Sequence, residues 1–493
     1  MMRRLLLIFT AVLFLFTLAA CNSNGSTEDP GVDDIVLRYA GWNLGSEEDN
    51  NLERRLLAAF SEAHPGVRVD IVERPRVPSS NDPEVEVDMS WDEMLASMAA
   101  TGRLPDVFMY ATVPVAVLNG WAEDMTDIMS ADDELANVPE DIATAAVYGE
   151  RYFGIPQSNF YFGYFVNQTL FDNANLNRPE FGMRFNQLLN LAGDVATYPE
   201  DGTGIVGFEG VARFFEWLPA QFDGSLGWYT FNEQGFHLNS QAFADAMAFQ
   251  QSFYSDNASV VYPFVWESST VEQKIMWYSE GDGSQWSKGR HAIRWGGTYD
   301  LGWMVPELQN EELGVFGHEI DFIGTPIMVD GVQRIPVVLD YLVVGQGTEH
   351  PELAYELAKW MGFGREGYLK RLEIAQNHPE SGTVNFAPLQ QIDELFDAYF
   401  ATLPEGSFEG YKQVLNHDSF IIEGLKTVPG YVQARWTGTY GTIAGTSYTI
   451  ATLLDAIRDN RVLLADVNTQ LNDRVNLIHQ QARTELLNRI QND

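Results

Sequence analysis

The stretch GIPQSNFYFGYFVN, residues 154–167, constrains the fold of this chain more than any other. It opens on a Gly-Ile-Pro turn and continues through aromatic and aliphatic side chains without a single charge. An uncharged run of this length, bounded by Gly and Pro, is typical of a buried strand rather than a surface helix. Because strand–helix patterns lie on both sides of it, we expect this strand to lead from a first lobe into a second. Residues next to it would then line the cleft between the lobes.

Length and charge narrow the class of protein further. At 493 residues the chain is too long for one compact core, and 45% apolar residues are ample for a globular protein. The 69 acidic residues against 30 basic ones give a formal charge of −39. A surface this negative repels nucleic acid and anionic lipid headgroups, so we expect no nucleic-acid partner.

The amino terminus has the pattern of a secretory signal. A short cationic segment, residues 1–4, precedes an apolar run over residues 5–18 that is too short to span a bilayer comfortably. Small residues then lead directly to Cys21, the only cysteine of the chain. This order predicts a signal peptide over residues 1–20 and a polar tether over residues 21–32. The alternative is an ordinary signal peptide in which Cys21 is incidental.

Strand and helix patterns predict an α/β architecture. A short strand at residues 35–40, a helical face with Leu52, Leu56 and Phe60, and an alternating strand at residues 67–73 form a strand–helix–strand unit, which implies a parallel sheet. Residues 337–344 form a second apolar run, charged only at Asp340, and we interpret them as the return crossing between the lobes. Helical patterns dominate the end of the chain.

The sequence lacks convincing motifs for catalysis and for cofactor binding. Residues 202–207 match GxGxxG, but no strand precedes them and no helix clearly starts in them. The sequence contains no P-loop and no GxSxG elbow, and its eight histidines show no metal-ligand spacing. We therefore expect no enzymatic activity, no cofactor and no metal. A pair of carboxylates for glycoside hydrolysis stays an open alternative among so many acidic residues.

Five segments of the chain form a recognisable set. They are AAFSEAHPGVRVDIVE (58–73), LASMAATGRLPDVFMY (95–110), YFGIPQSNFYFGYFVNQTLF (152–171), GRHAIRWGGTYD (289–300) and GTEHPELAYELAKWM (347–361). With the Leu-Ala-Ala-Cys ending before the tether, which resembles a lipobox, the chain resembles an extracellular solute-binding lipoprotein of an ABC importer. The resemblance is to family 1, the maltose-binding-protein-like family for sugars and oligosaccharides. The five segments occur in the family's order and span most of the chain.

The resemblance implies a two-lobed periplasmic-binding-protein-like fold of type II, with the ligand cleft between the lobes. The first lobe would comprise residues 33–156 and 341–388, and the second residues 157–340 and 389–493. The protein would capture a carbohydrate, an oligosaccharide in particular, and deliver it to the permease subunits. It would be an extracytoplasmic monomer, held to the cell membrane by lipid, palmitate included, on Cys21. The alternatives are a secreted glycoside hydrolase, a binding protein for a non-sugar solute, and an adhesion or scaffolding lipoprotein.

Sugar binding requires flat apolar side chains for the pyranose face and polar groups for the hydroxyls. Side chains at strand ends and at the crossing are the candidates, because these positions face the cleft. For each aromatic residue, packing in the core is the alternative role. The ligand-binding candidates are Trp42, Asn43, Tyr110, Thr112, Gln157, Asn159, Trp295, Tyr299 and Trp436. Tyr299 stands where many relatives have Trp, and Phe160 stands where some have an acidic residue.

Overall fold

The computed structural model describes residues 35–79, 85–197, 204–209, 214–256, 270–272 and 285–492. The predicted signal peptide, the tether and Cys21 lie outside these ranges. Across the described ranges, no helix combines the length and apolarity that crossing a bilayer requires.

Most of the strands are short, and two long strands, β8 and β11, lie at the centre of the molecule. The strands are β1 (Ile35–Ala40), β2 (Val67–Ile71), β3 (Arg76–Pro78), β4 (Glu86–Asp88), β5 (Val107–Met109), β6 (Val147–Tyr148), β7 (Arg151–Tyr152), β8 (Ile155–Asn167), β9 (Ile293–Gly297), β10 (Ile320–Phe322), β11 (Ile335–Val344), β12 (Phe420–Ile422), β13 (Thr439–Ile443) and β14 (Thr446–Thr449).

The helices lie between the strands and close the chain. They are α1 (Leu52–Ala63), α2 (Trp91–Ala99), α3 (Val113–Leu118), α4 (Thr126–Ser130), α5 (Glu140–Ala143), α6 (Gln168–Asn173), α7 (Phe185–Val195), α8 (Phe214–Phe222), α9 (Gln241–Asp256), α10 (Leu301–Leu308), α11 (Pro351–Met361), α12 (Arg365–Asn377), α13 (Asp393–Phe400), α14 (Glu409–Leu415), α15 (Ile450–Arg458) and α16 (Leu464–Asn492).

The main sheet is mixed and has the order β10-β8-β11-β5-β1-β2, with β9 also paired to β8 and β12 to β11. The parallel pairing predicted for the first strand–helix–strand unit is confirmed between β1 and β2. Strands are also present in both segments that we predicted to be crossings, as β8 and β11. They pair antiparallel with each other.

Two hydrophobic clusters form the interior of the part of the chain that the structure describes, and β8 contributes to both. Tyr161 and Phe165 belong to the first cluster, which surrounds β1, β5 and β11. Tyr164 and Val166 belong to the second, which surrounds α7, α8 and α9. Successive side chains of a strand point to opposite faces, so one uncharged strand can supply two cores. This dual burial explains why the sequence of β8 carries no charge at all.

The carboxyl-terminal helix α16 connects the same two clusters. Val467, Leu471 and Val475 from its first half are buried in the second cluster. Leu486 and Ile490 from its last turns are buried in the first. The helix therefore joins both cores by a second route besides β8.

Replacing Leu486 by Ala should lower the free energy of unfolding by about 2–5 kcal/mol, because this side chain is only 1% exposed in the first cluster. Leu477→Ala on the same helix is the matched control, since Leu477 is 43% exposed and should change stability by less than about 0.5 kcal/mol. Urea denaturation measures both. Equal stabilities would contradict the packing of the last turns of α16.

Candidate functional site

A cavity of about 420 Å³ lies where β1 and β5 end against the crossing strands. Its size falls within the range of small-molecule sites, roughly 300–1,000 Å³. The carboxyl ends of parallel strands are the usual place for a ligand in such sheets. Its lining residues are Trp42, Asn43, Glu53, Met109, Gln157, Ser158, Phe160, Tyr299, Val338, Asp340, Asn385, Phe386, Leu425 and Lys426.

The crossing strands supply one wall of this cavity. Ser158 pairs with Asp340 and Phe160 with Val338 in the antiparallel register, and directly opposed residues share a face of the sheet. Gln157 reaches the same cavity because the register shifts beside it, with Tyr341 opposite Pro156 rather than Gln157.

The strand alternation sends Asn159 to the opposite face. Its Nδ2 donates a hydrogen bond of 2.9 Å to the hydroxyl of Tyr161 two residues further on. A larger cavity, of about 520 Å³, lies against this other face and is lined by Tyr161 and Val337. Neither β1 nor the loop of Tyr299 contributes to that larger cavity, so we place the candidate site on the Ser158 face.

Trp42 forms a flat apolar surface in the turn after β1. The Nζ of Lys426 lies 4.9 Å from the centroid of its indole ring, and Trp91 meets it edge-on at 6.1 Å. Asn43 follows in a left-handed conformation, with a φ of 67°. Its carbonyl accepts a hydrogen bond of 2.7 Å from Asn51, the cap of α1, so the start of the helix holds the turn in place.

Tyr299 forms a second aromatic surface after β9. It is 45% exposed, and its ring meets Phe160 at 5.8 Å between centroids. A Cβ at Gly297 would lie 2.5 Å from the tyrosine ring, so only glycine permits this arrangement. The guanidinium of Arg294 bonds the carboxylate of Asp300 at 2.6 Å and holds the turn closed.

Two other predicted site residues, Tyr110 and Thr112, do not line this cavity. The hydroxyl of Tyr110 donates to the carboxylate of Asp92, and its ring packs edge-on against Trp121 at 5.6 Å. Burial, and then the hydrogen bond to Asp92, raise the pKa of the Tyr110 hydroxyl. Thr112 is nearly buried at the start of α3.

Trp295 and Trp436 also lie away from the cavity of Trp42 and Tyr299. Trp295 stacks on Trp217 at 4.9 Å with an interplanar angle of 12°, against the second hydrophobic cluster. Trp436 lies 4.1 Å from the guanidinium of Arg435 and lines a separate cavity of about 260 Å³. The structure therefore brings together four of the predicted residues: Trp42, Asn43, Gln157 and Tyr299.

The charged residues of the cavity were not among the sequence candidates. Lys426 lies 2.8 Å from Asp340, and Glu53 pairs with the buried guanidinium of Arg371. Asp340 could have been recognised from the sequence, because a charged residue inside an apolar strand requires a partner of opposite charge. Lys426 lies in a loop after β12, and nothing local in its sequence marks it.

The fold and the cavity at its strand ends describe a two-lobed binding protein, and a family model agrees. The model for bacterial extracellular solute-binding proteins matches residues 45–362. The chain belongs to the bacterial extracellular solute-binding protein family. The resemblance and the two-lobed α/β fold expected from the sequence are thereby confirmed.

No curated protein matches the chain. Among the described residues, no group of side chains could hold a metal ion.

Solved structures share this fold at low sequence identity. A sugar transporter of Rhizobium etli in an open conformation has a TM-score of 0.62 and 17% identity, covering 90% of this chain and 99% of its own. An ABC substrate-binding protein of Listeria monocytogenes in complex with cycloalternan has a TM-score of 0.58 and 15% identity, covering 93% and 100%. A cyclic alpha-maltosyl-1,6-maltose binding protein of Arthrobacter globiformis has a TM-score of 0.59 and 14% identity, covering 91% and 100%.

Trp295 and Tyr299 should contribute differently to the stability of the ligand-free protein, and this difference can be measured. Trp295→Ala should lower the free energy of unfolding by about 2–4 kcal/mol, because it removes a ring that stacks on the buried Trp217 and packs against the second cluster. Tyr299→Ala should cost less than about 1 kcal/mol, because nearly half of this side chain faces solvent. Chemical denaturation of both variants measures the difference. Equal losses would place Trp295 outside the core.

Proposed function

We propose that this protein captures a carbohydrate, an oligosaccharide in particular, outside the membrane and delivers it to the permease subunits of an ABC importer. One observation carries the proposal: Trp42 and Tyr299, from opposite sides of the crossing strands, line one cavity together with polar side chains. Flat rings suit the apolar face of a pyranose. The amides of Gln157 and Asn385 and the hydroxyl of Ser158 can both donate to and accept from sugar hydroxyls.

The solved relatives support the same ligand class. The Listeria protein was solved with cycloalternan, and the Arthrobacter protein is named for binding cyclic alpha-maltosyl-1,6-maltose. Ligand contacts from both sides of the crossing favour a hinge motion that closes the lobes. The predicted lobes, residues 33–156 with 341–388 and residues 157–340 with 389–493, are the bodies that would move.

The carboxylates of the cavity favour binding over hydrolysis. A glycosidase needs one carboxylic acid and one carboxylate, free to act on the two sides of a bond. Here Asp340 is paired with Lys426 and Glu53 with Arg371. Each carboxylate is thus engaged by a cation, an arrangement that suits hydroxyl recognition better than proton transfer.

Trp42→Ala should weaken binding of the best saccharide by about 1–3 kcal/mol, because it removes one of the two stacking surfaces. A thermal-shift panel of oligosaccharides, peptides and amines identifies the ligand, and calorimetry measures the affinities. Phe316→Ala is the matched control, since Phe316 is 46% exposed and does not line the cavity. A shift with peptides or amines and none with any saccharide would reject the carbohydrate assignment.

The lipid anchor proposed on Cys21 is tested by lipid labelling. In a bacterial host, radioactive palmitate should label the native protein and should not label Cys21→Ala, because the thiol that would carry the lipid is absent from this variant. Ser23→Ala should be labelled as strongly as the native protein. Equal labelling of Cys21→Ala and the native protein would contradict the anchor.

A further inference from the structure

The charges of the cavity are arranged in pairs that compensate each other. Glu53 pairs with Arg371, whose side chain is only 1% exposed, and Asp340 pairs with Lys426 at 2.8 Å. The side chains of Asp340 and Lys426 are 13% and 11% exposed, so water screens this second pair only weakly. An ion pair in this position responds strongly to any further charge placed beside it.

Lys426 is held from several directions at once. Asp340 of the crossing strand approaches its ammonium group, and the indole of Trp42 lies 4.9 Å from its Nζ. Its backbone carbonyl accepts a hydrogen bond of 2.8 Å from Val113 at the start of α3. A cation over an aromatic ring is attracted to it, so this contact fixes the ammonium and the indole relative to each other. The lysine thus aligns the stacking surface and contributes a charge to the cavity.

The pair suits an uncharged ligand with hydroxyl groups. A hydroxyl can donate to Asp340 and accept from Lys426 while the two side chains keep their ion pair. A ligand carboxylate beside Lys426 would face Asp340 at close range, and a ligand ammonium beside Asp340 would face Lys426. Like charges at such distances repel strongly in a partly desolvated site.

We propose that the Asp340–Lys426 pair makes this cavity selective for uncharged saccharide units, with Asp340 excluding uronic acids and Lys426 excluding protonated amino sugars. The proposal rests on the carbohydrate-binding function above and adds the charge class of the ligand. Asp340 and Lys426 thus have separate roles, and removing one of these side chains should weaken the exclusion of one class of charged sugar only.

The experiment uses calorimetry on the full mature chain with three forms of one disaccharide. These are the neutral disaccharide that stabilises the protein most in a thermal-shift panel, its counterpart oxidised to a carboxylate at carbon 6, and its 2-amino counterpart at a mildly acidic pH where the amine is protonated. The native protein should bind the neutral form at least about tenfold more tightly than either charged form, a difference of about 1.4 kcal/mol.

Two variants test the two roles independently. Asp340→Asn should shift the ratio of uronate to neutral affinity by at least about tenfold in favour of the uronate, because Lys426 is then left to pair with it. Lys426→Met should shift the ratio of amino-sugar to neutral affinity in the same way and leave the uronate excluded. If one variant fails to fold by circular dichroism, the other still decides the outcome.

Asp321→Asn is the matched control, because Asp321 is a buried carboxylate, bonded to the backbone N–H of Gly410 at 2.9 Å, and does not line the cavity. It should leave both ratios unchanged. A native protein that binds the charged forms as tightly as the neutral one, or unchanged ratios in a folded variant, would overturn the charge assignment while the carbohydrate function stands. Absence of binding to every saccharide form would overturn the carbohydrate function itself.

Discussion

The antiparallel pairing of β8 with β11 is the interaction on which the rest of this structure depends. Residues Ile155 to Tyr161 of β8 lie opposite Leu342 to Val337 of β11. On one side the sheet continues from β11 to β5, β1 and β2, and on the other from β8 to β9 and β10. The register also decides the wall of the cavity. If β8 or β11 shifted by one residue along the sheet, the cavity-lining side chain of that strand, Ser158 or Asp340, would turn to the opposite face.

Burial of charge is the second constraint, and it follows from the first. The register places Asp340 in a largely desolvated position, which is costly unless a cation neutralises it. Lys426 provides that cation, as Arg371 does for Glu53 and Arg435 for Glu216 and Glu423. In a chain with 69 acidic and 30 basic residues, several of the scarce cations are therefore committed to the interior. Because each of these cations is paired with at least one carboxylate, the pairs leave the excess negative charge of the rest of the chain nearly unchanged.

Much of the fold could be predicted because the responsible patterns are local and strong. The uncharged run of β8, the apolar run of β11 and the parallel β1–β2 unit are all present where the sequence indicates them. Trp42 follows a strand end and Tyr299 a glycine pair, and the structure brings both side chains to one cavity. Trp295 and Trp436 have similar local surroundings, yet they pack against Trp217 and Arg435. An aromatic side chain serves a core as well as a cavity, and its own sequence does not distinguish the two.

The sequence by itself determined that residues 154–167 and 337–344 form buried strands, that the first strand–helix–strand unit is parallel, and that the chain has the pattern of a two-lobed binding protein. Only the tertiary structure decided that Ser158 rather than Asn159 lines the cavity, because the register shift beside Gln157 sets which face each side chain takes. Only the tertiary structure brought Lys426 to Asp340 and Trp42, because these residues come from three distant segments that the folding of the sheet places together. Local patterns record burial and periodicity, whereas a binding site depends on long-range pairing.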